Sequence, residues 1–109
     1  MAQDFARTPV KSEHGAYIHV LCPQLFDVRE PDEAASGKLR AAELVPLSEL
    51  QQGMPPPTPI PRDKLTYVHC AAGIRVHYAA PILEAMGFER VVPLQEGFAT
   101  LRSMGFPSD

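Results

Sequence analysis

The sequence predicts an α/β domain in which helices cover both faces of a mainly parallel, five-stranded sheet. Two observations indicate this class. Short β-type runs alternate with helical segments along the chain, and the run Leu65–His69 is almost continuously apolar, which is typical of a strand buried on both faces. The expected strands are, in chain order, Tyr17–Leu21, Gln24–Val28, residues 42–45, Leu65–His69 and Val91–Leu94.

The composition favours one domain in a reducing compartment. The chain has 109 residues, 45% of them hydrophobic, which is enough for one core. A net charge of −3 gives no basic footprint for nucleic acid. No apolar run approaches the ~20 residues of a membrane span, and Met1–Arg7 lacks the apolar core of a signal peptide. We therefore expect a cytoplasmic protein with neither a nucleic acid nor a membrane as partner.

Helix signals separate the expected strands. Pro31 suits a first helical position, acidic residues follow it, and Gly37 marks the end of about two turns. Ser48 is expected to cap a brief helical turn over Glu49–Gln52. The proline-rich stretch Met54–Pro61 is expected to be a connecting loop, with a docking ligand for another domain as the lesser alternative.

The second half of the chain carries two further helices. Val76–Met86 has apolar residues at helical spacing and is followed by Gly87, with Pro81 inside the pattern. Phe98–Met104 is expected to be the last helix. Residues 1–16 are polar without a clear period, so we expect an irregular or mobile arm before a domain over residues 17–109.

The stretch from Cys70 to Arg75 has the order strand, tight loop, helix. Such a turn collects backbone N–H groups into an anion site. A free thiol has a pKa of ~8.5, and helix N-termini or nearby cations lower it to roughly 3.5–7.5, so a thiolate is expected here. Gly73 lets the backbone turn, and Ala71 and Ala72 leave room over the sulfur. The alternative is a small buried hydrophobe at the end of a strand.

Four segments resemble signatures of the rhodanese (sulfurtransferase) domain family, in the family's order. They are Asp27–Pro31, Gly37–Leu47, the loop Cys70–Arg75 with the helix that follows it, and Leu94–Phe98 with Gly105–Pro107. The resemblance covers about residues 18–107. One such motif would be weak, but four in order are specific. It implies a single-domain member with the rhodanese-like three-layer α/β/α fold.

The resemblance also implies sulfur transfer through a cysteine persulfide. In this family a cysteine accepts a sulfane sulfur from a donor and passes it to a thiophilic acceptor, which splits one transfer into two steps. By resemblance Cys70 is the sulfur carrier. The implied donor is thiosulfate or a persulfide, and the acceptor is a thiol, cyanide or a protein; no cofactor or metal is implied. The residues expected to hold the persulfide and the donor are Ala71, Ala72, Gly73, Ile74 and Arg75.

Charged residues near this loop have expected supporting roles. Arg75 either contacts an anionic donor or braces the loop. Asp27 and Arg29 leave their strand at its carboxyl end, where sites form in parallel sheets, and are expected to be a structural ion pair. His69 should point to the other side of its strand from Cys70.

Three departures from the family pattern bear on the donor and on the fold. The second signature is Gly37–Ala42 in place of Gly-His-Ile-Pro-Gly-Ala, and the closing one has Glu96-Gly97 in place of two glycines. Ala71 stands where a basic residue is common. A dianion favours local positive charge, so Ala71 makes thiosulfate a weaker donor than a persulfide, a polysulfide or a protein.

Two other functions remain open from the sequence. A non-catalytic rhodanese-like module could dock a protein or sense redox state or sulfide through a thiolate on an exposed loop. A cysteine phosphatase or arsenate reductase is a minor alternative, because those loops place five residues between cysteine and arginine and this loop places four. Cys22 is expected in the core, with a resolving thiol as alternative.

Overall fold

The computed structural model describes Val10–Lys11, Tyr17–Ile18, residues 23–56 and residues 60–109. In chain order, the strands of these segments are β1 Val10–Lys11, β2 Tyr17–Ile18, β3 Gln24–Asp27, β4 Ala42–Leu44, β5 Leu65–His69 and β6 Arg90–Pro93. The helices are α1 Pro31–Ala35, α2 Leu47–Gln51, α3 Val76–Ala85 and α4 Phe98–Ser103.

The central sheet has four strands in the order β4-β3-β5-β6, and every neighbouring pair is parallel. The prediction of a fifth strand in this sheet is wrong. β2 instead pairs antiparallel with β1 in a separate two-stranded ribbon. Only residues 19–23 separate β2 from β3, and a parallel neighbour needs a crossover of a dozen or more residues. The rest of the expected arm over residues 1–16 lies outside the described residues.

The remaining strands and helices lie where the sequence predicts them, with one difference at α2. Pro93 ends β6 at the edge of the sheet, as its missing N–H requires. Ser48 does not cap α2, because the helix begins one residue earlier at Leu47. The Ser48 hydroxyl donates instead to a Glu30 carboxylate oxygen at 2.6 Å.

Two apolar clusters cover the two faces of the sheet. Adjacent residues of β3 point to opposite faces and therefore belong to different clusters. Phe26 packs in the larger cluster with α2 and α3, and Leu25 packs in the smaller one with Leu101 of α4. The helices therefore form layers on both sides of the strands, as predicted. Cys70, which directly follows β5, belongs to the larger cluster.

Candidate active site

β5 delivers Cys70 to the carboxyl end of the sheet. The residue is 1% exposed and is a free cysteine. The backbone N–H of Phe98, at the start of α4, donates to its carbonyl oxygen at 2.9 Å. The premise of a thiolate on an exposed loop is therefore corrected: Ala71, Ala72 and Ile74 are exposed, but the cysteine lies beneath them. The cause is the apolar packing between β5 and α3.

Two glycines set the shape of the loop that follows Cys70. Gly73 has φ +77°, in the left-handed region, and a Cβ there would collide with the carbonyl of Gln95. At Gly97 a Cβ would overlap the carbonyl oxygen of Ala71. The segment that precedes α4 is thus pressed directly against the cysteine loop. Sequence reasoning predicted the role of Gly73 but missed that of Gly97, although the closing signature contained it.

The loop aims its backbone N–H groups at the sulfur. Burial on its own would raise the pKa of the Cys70 thiol. Hydrogen bonds from backbone N–H groups outweigh burial and hold this pKa below its ordinary value. These N–H groups belong to Ala72, Val76, Gly73 and Ile74. Val76, the first residue of α3, was missed by the sequence reasoning; the start of the helix at this position is the signal that would have found it.

The side chain of Arg75 reaches α1. Its guanidinium donates to both carboxylate oxygens of Glu33, at 2.6 and 2.8 Å. This hydrogen bonding, together with a second bond from the backbone N–H of Glu30, lowers the pKa of Glu33 to about 2. Glu33 in turn raises the pKa of Arg75. The two roles expected for Arg75 were contact with an anionic donor and bracing of the loop. In this geometry the side chain braces the loop against α1.

Glu30 extends this contact to α2. Its carboxylate accepts hydrogen bonds from the hydroxyl and the backbone N–H of Ser48, and its own backbone N–H donates to Glu33 at 2.9 Å. The network Arg75–Glu33–Glu30–Ser48 therefore joins the beginnings of α1, α2 and α3. The sequence showed the acidic residues in the first turn of α1, but the partner of Glu33 lies 42 positions away in the chain.

Asp27 and Arg29 form a buried ion pair at the end of β3. The guanidinium of Arg29 donates to both oxygens of Asp27, at 2.8–3.1 Å, and to the carbonyl of Gly37 at 2.7 Å. It also lies over the ring of Phe98, 4.3 Å from the ring centroid. The N–H of Phe98 donates to the Cys70 carbonyl, so the ion pair supports the cysteine loop through its contact with Phe98.

His69 lies between this ion pair and the cysteine. Its Nδ1 is 3.2 Å from the carbonyl oxygen of Cys70, a contact that requires the proton on Nδ1. Its Nε2 is 3.8 Å from an oxygen of Asp27 and has no hydrogen-bond partner among the described residues. Burial lowers the pKa of His69, so the ring is neutral at pH 7.

Three further points concern membrane spans, metal sites and Cys22. Across the parts of the chain that the structure describes, no helix is both long and apolar enough to cross a membrane. In the same residues, no cluster of three or more His, Cys, Asp and Glu side chains is arranged to hold a metal ion. Cys22 lies outside the described residues, so its place in the core stays a prediction.

The fold and the cysteine loop define a class: α/β domains that hold a low-pKa thiol at the end of a parallel strand. The chain belongs to the family of Rhodanese-like domains, which matches residues 11–103. It is also similar to solved structures of this fold. A rhodanese-related protein from Thermoplasma volcanium is 30% identical with a TM-score of 0.64, and the match covers 80% of this chain and 83% of that one.

Two curated relatives differ in how much of their length the chain spans. Uncharacterized protein YqhL of Bacillus subtilis (strain 168) is 37% identical over 75 residues, which cover 69% of this chain and 57% of that protein. A protein of Allochromatium vinosum named Sulfurtransferase is 30% identical over 83 residues, which cover 76% of this chain and 75% of that protein. The chain thus spans little more than half of the first relative and three quarters of the second.

Proposed function

We propose that this protein is a sulfurtransferase that carries a sulfane sulfur as a persulfide on Cys70. The observation that carries the proposal is the set of backbone N–H groups that face the Cys70 sulfur and lower its pKa. Membership of the Rhodanese-like domain family supports it, as does the relative named Sulfurtransferase.

The reaction has two displacement steps. The Cys70 thiolate attacks the sulfane sulfur of the donor, a new bond to Sγ forms, and the donor's own bond to that sulfur breaks. The rest of the donor leaves with the electron pair. An acceptor, which is a thiol, cyanide or a protein thiol, then attacks the outer sulfur and regenerates the Cys70 thiolate. The loop N–H groups stabilise the negative charge before and after each step.

The loading of Cys70 is tested by intact mass. After incubation with thiosulfate, and separately with a polysulfide, we expect the protein to gain one sulfur atom that a thiol or cyanide removes. Cys70→Ser should abolish the gain, and Cys22→Ser, the matched control at the other cysteine, should keep it. A gain that survives in Cys70→Ser would contradict the proposal, as would the absence of any gain with both donors.

The alternatives are separated from a transferase on different grounds. A redox sensor needs an oxidant to reach Cys70 just as a transferase needs a donor to reach it, so the 1% exposure of this residue does not distinguish the two, and turnover does. A phosphatase or arsenate reductase would need the loop arginine on its oxyanion, but the guanidinium of Arg75 is engaged by both oxygens of Glu33. A non-catalytic docking module would bind partners without passing sulfur on, so turnover separates it from a transferase.

A further inference from the structure

We infer that the sulfur donor is an organic sulfane-sulfur compound rather than inorganic thiosulfate: its labile sulfur is attached to an apolar group, and it carries at most one negative charge. Organic persulfides and thiosulfonates share this chemistry. The inference rests on the proposed function, because it concerns the donor that loads Cys70. Two independent features of the site support it, the charges around the loop and the apolar side chains at its rim.

The charges beside the loop are poorly suited to a dianion. Residues 70–74 and 95–97 contain no lysine or arginine, and the second segment contains the partly exposed Glu96. The nearest arginine in sequence, Arg75, has its charge compensated by Glu33, with Glu30 close enough to act on it as well. Thiosulfate would therefore meet backbone dipoles but no uncompensated cation of the loop, and charge-assisted hydrogen bonds are the strong ones.

Two further arginines lie against Phe98. Arg29 is buried in its pair with Asp27, and Arg102 is exposed and lies over the Phe98 ring, 5.1 Å from the ring centroid. Among the residues that the structure describes, neither guanidinium donates a hydrogen bond to the loop Cys70–Arg75. The loop therefore offers a dianion no pair of cationic side chains held in place for it.

The exposed side chains at the loop are apolar instead. Ile74 and Tyr78 are 65% and 62% exposed, the highest values among the large apolar residues that the structure describes as exposed. Ile74 belongs to the loop, and its N–H faces the Cys70 sulfur, whereas Tyr78 lies in the first turn of α3, which directly follows the loop. We call these two residues the apolar rim.

The two rim residues lie four positions apart, on either side of the start of α3. The N–H of His77 donates to the carbonyl of Ile74, and that of Tyr78 donates to the carbonyl of Arg75, so a tight turn that begins at Ile74 leads into the helix. Single exposed apolar residues are common, but two within five residues of one another, beside a reactive thiol, offer a surface that an apolar donor group can cover.

The chemical step balances with such a donor. The Cys70 thiolate attacks the terminal sulfur, the new Sγ–S bond forms and the donor's S–S bond breaks. A thiosulfonate releases a sulfinate with the electron pair, and a persulfide releases a thiolate. The leaving group then carries one negative charge, whereas thiosulfate would release sulfite with two.

The test compares three donors with cyanide as the common acceptor and thiocyanate as the measured product. Benzenethiosulfonate and methanethiosulfonate carry the same charge and differ in apolar size, and thiosulfate is the dianion. We expect kcat/KM to be highest for benzenethiosulfonate and lowest for thiosulfate. The value for methanethiosulfonate should be at least about tenfold below that for benzenethiosulfonate, because the loss of one apolar contact lowers kcat/KM by at least that factor. Tyr78→Ser should reduce the ratio between the two thiosulfonates towards one.

The control variant is Met104→Ser, which removes an exposed apolar side chain at the end of α4. It should leave kcat/KM unchanged for both thiosulfonates. Thiosulfate as the best donor, or equal constants for the two thiosulfonates, would overturn the inference but leave Cys70 as the carrier. A ratio that Tyr78→Ser does not alter would overturn the role of the apolar rim. Failure of all three donors to load Cys70 would instead overturn the proposed function.

Discussion

Two arginine–carboxylate pairs support the cysteine loop, and they differ in burial and in what they hold. The side chains of Arg29 and Asp27 are 6% and 0% exposed, whereas those of Arg75 and Glu33 are 31% and 33% exposed. Breaking a buried pair leaves an uncompensated charge in the interior, while a partly exposed pair is screened by water. The buried pair is therefore part of the fold, and the exposed pair acts mainly on the loop.

The largest effect is expected from Asp27→Asn. This change leaves the guanidinium of Arg29 buried without its counter-charge and should lower the free energy of unfolding by about 3–5 kcal/mol. Urea unfolding at pH 7 measures it. Glu33→Gln, which breaks the other pair, is the matched control with an expected loss of about 1 kcal/mol or less. Equal losses in the two variants would remove the distinction between the pairs.

The second effect concerns the contact between the loop and the segment before α4. Gly97→Ala should lower the free energy of unfolding by about 1–3 kcal/mol through overpacking against Ala71, and it should also reduce sulfur transfer strongly. Gly53→Ala is the control, because Gly53 has φ +82° but no neighbouring atom within 4 Å of an added Cβ. It should cost about 1 kcal/mol from backbone strain and leave transfer intact. Normal transfer in Gly97→Ala would show that this contact does not shape the site.

The third effect tests whether Arg75 acts through Glu33. Arg75→Ala and Glu33→Gln should each reduce kcat/KM several-fold, for thiosulfate and benzenethiosulfonate alike, because each frees the same loop. The double variant should lose no more than either single variant, since the two residues act as one unit. A loss in Arg75→Ala that is selective for thiosulfate and absent in Glu33→Gln would assign Arg75 to donor binding instead.

The smallest effect is a pH dependence of stability. The pKa of Glu33 is about 2 in the folded protein against an ordinary 4.5. Because the folded pKa is the lower one, the stabilisation is complete above about pH 5 and is lost as the pH falls through 4.5 towards 2. Solvent screening limits its size to about 1 kcal/mol. Unfolding of the wild type and Glu33→Gln at pH 7 and pH 3 should show a difference that shrinks at the lower pH; a constant difference would contradict the ion pair.

The buried pair and the cysteine loop were predictable because their signals are local. Asp27 and Arg29 are two residues apart at the end of one strand. Cys70 and Gly73 stand between an apolar run and a helical pattern, so strand, loop and helix follow from neighbouring residues alone. The parallel central sheet followed from the same alternation of strands and helices.

The remaining parts of the site depend on contacts between distant segments. Glu33 and Arg75 are 42 positions apart, and no local pattern indicates that α1 lies beside the loop. The closeness of Gly97 to Ala71 is likewise a property of the packed sheet and α4. The prediction of a fifth strand was wrong for a related reason. The short connection from Tyr17–Ile18 to β3 excludes a parallel pair with β3, but the strand pattern does not indicate that Val10–Lys11 is the partner instead.

The most direct test of the central claim is a single turnover of the sulfur on Cys70. The protein is loaded with a donor, freed of excess donor, and mixed with cyanide, and both its intact mass and the thiocyanate formed are measured. We expect one thiocyanate per loaded protein and a mass that returns to that of the unmodified chain. A loaded sulfur that stays on the protein, with no thiocyanate formed, would contradict the assignment of Cys70 as a sulfur carrier.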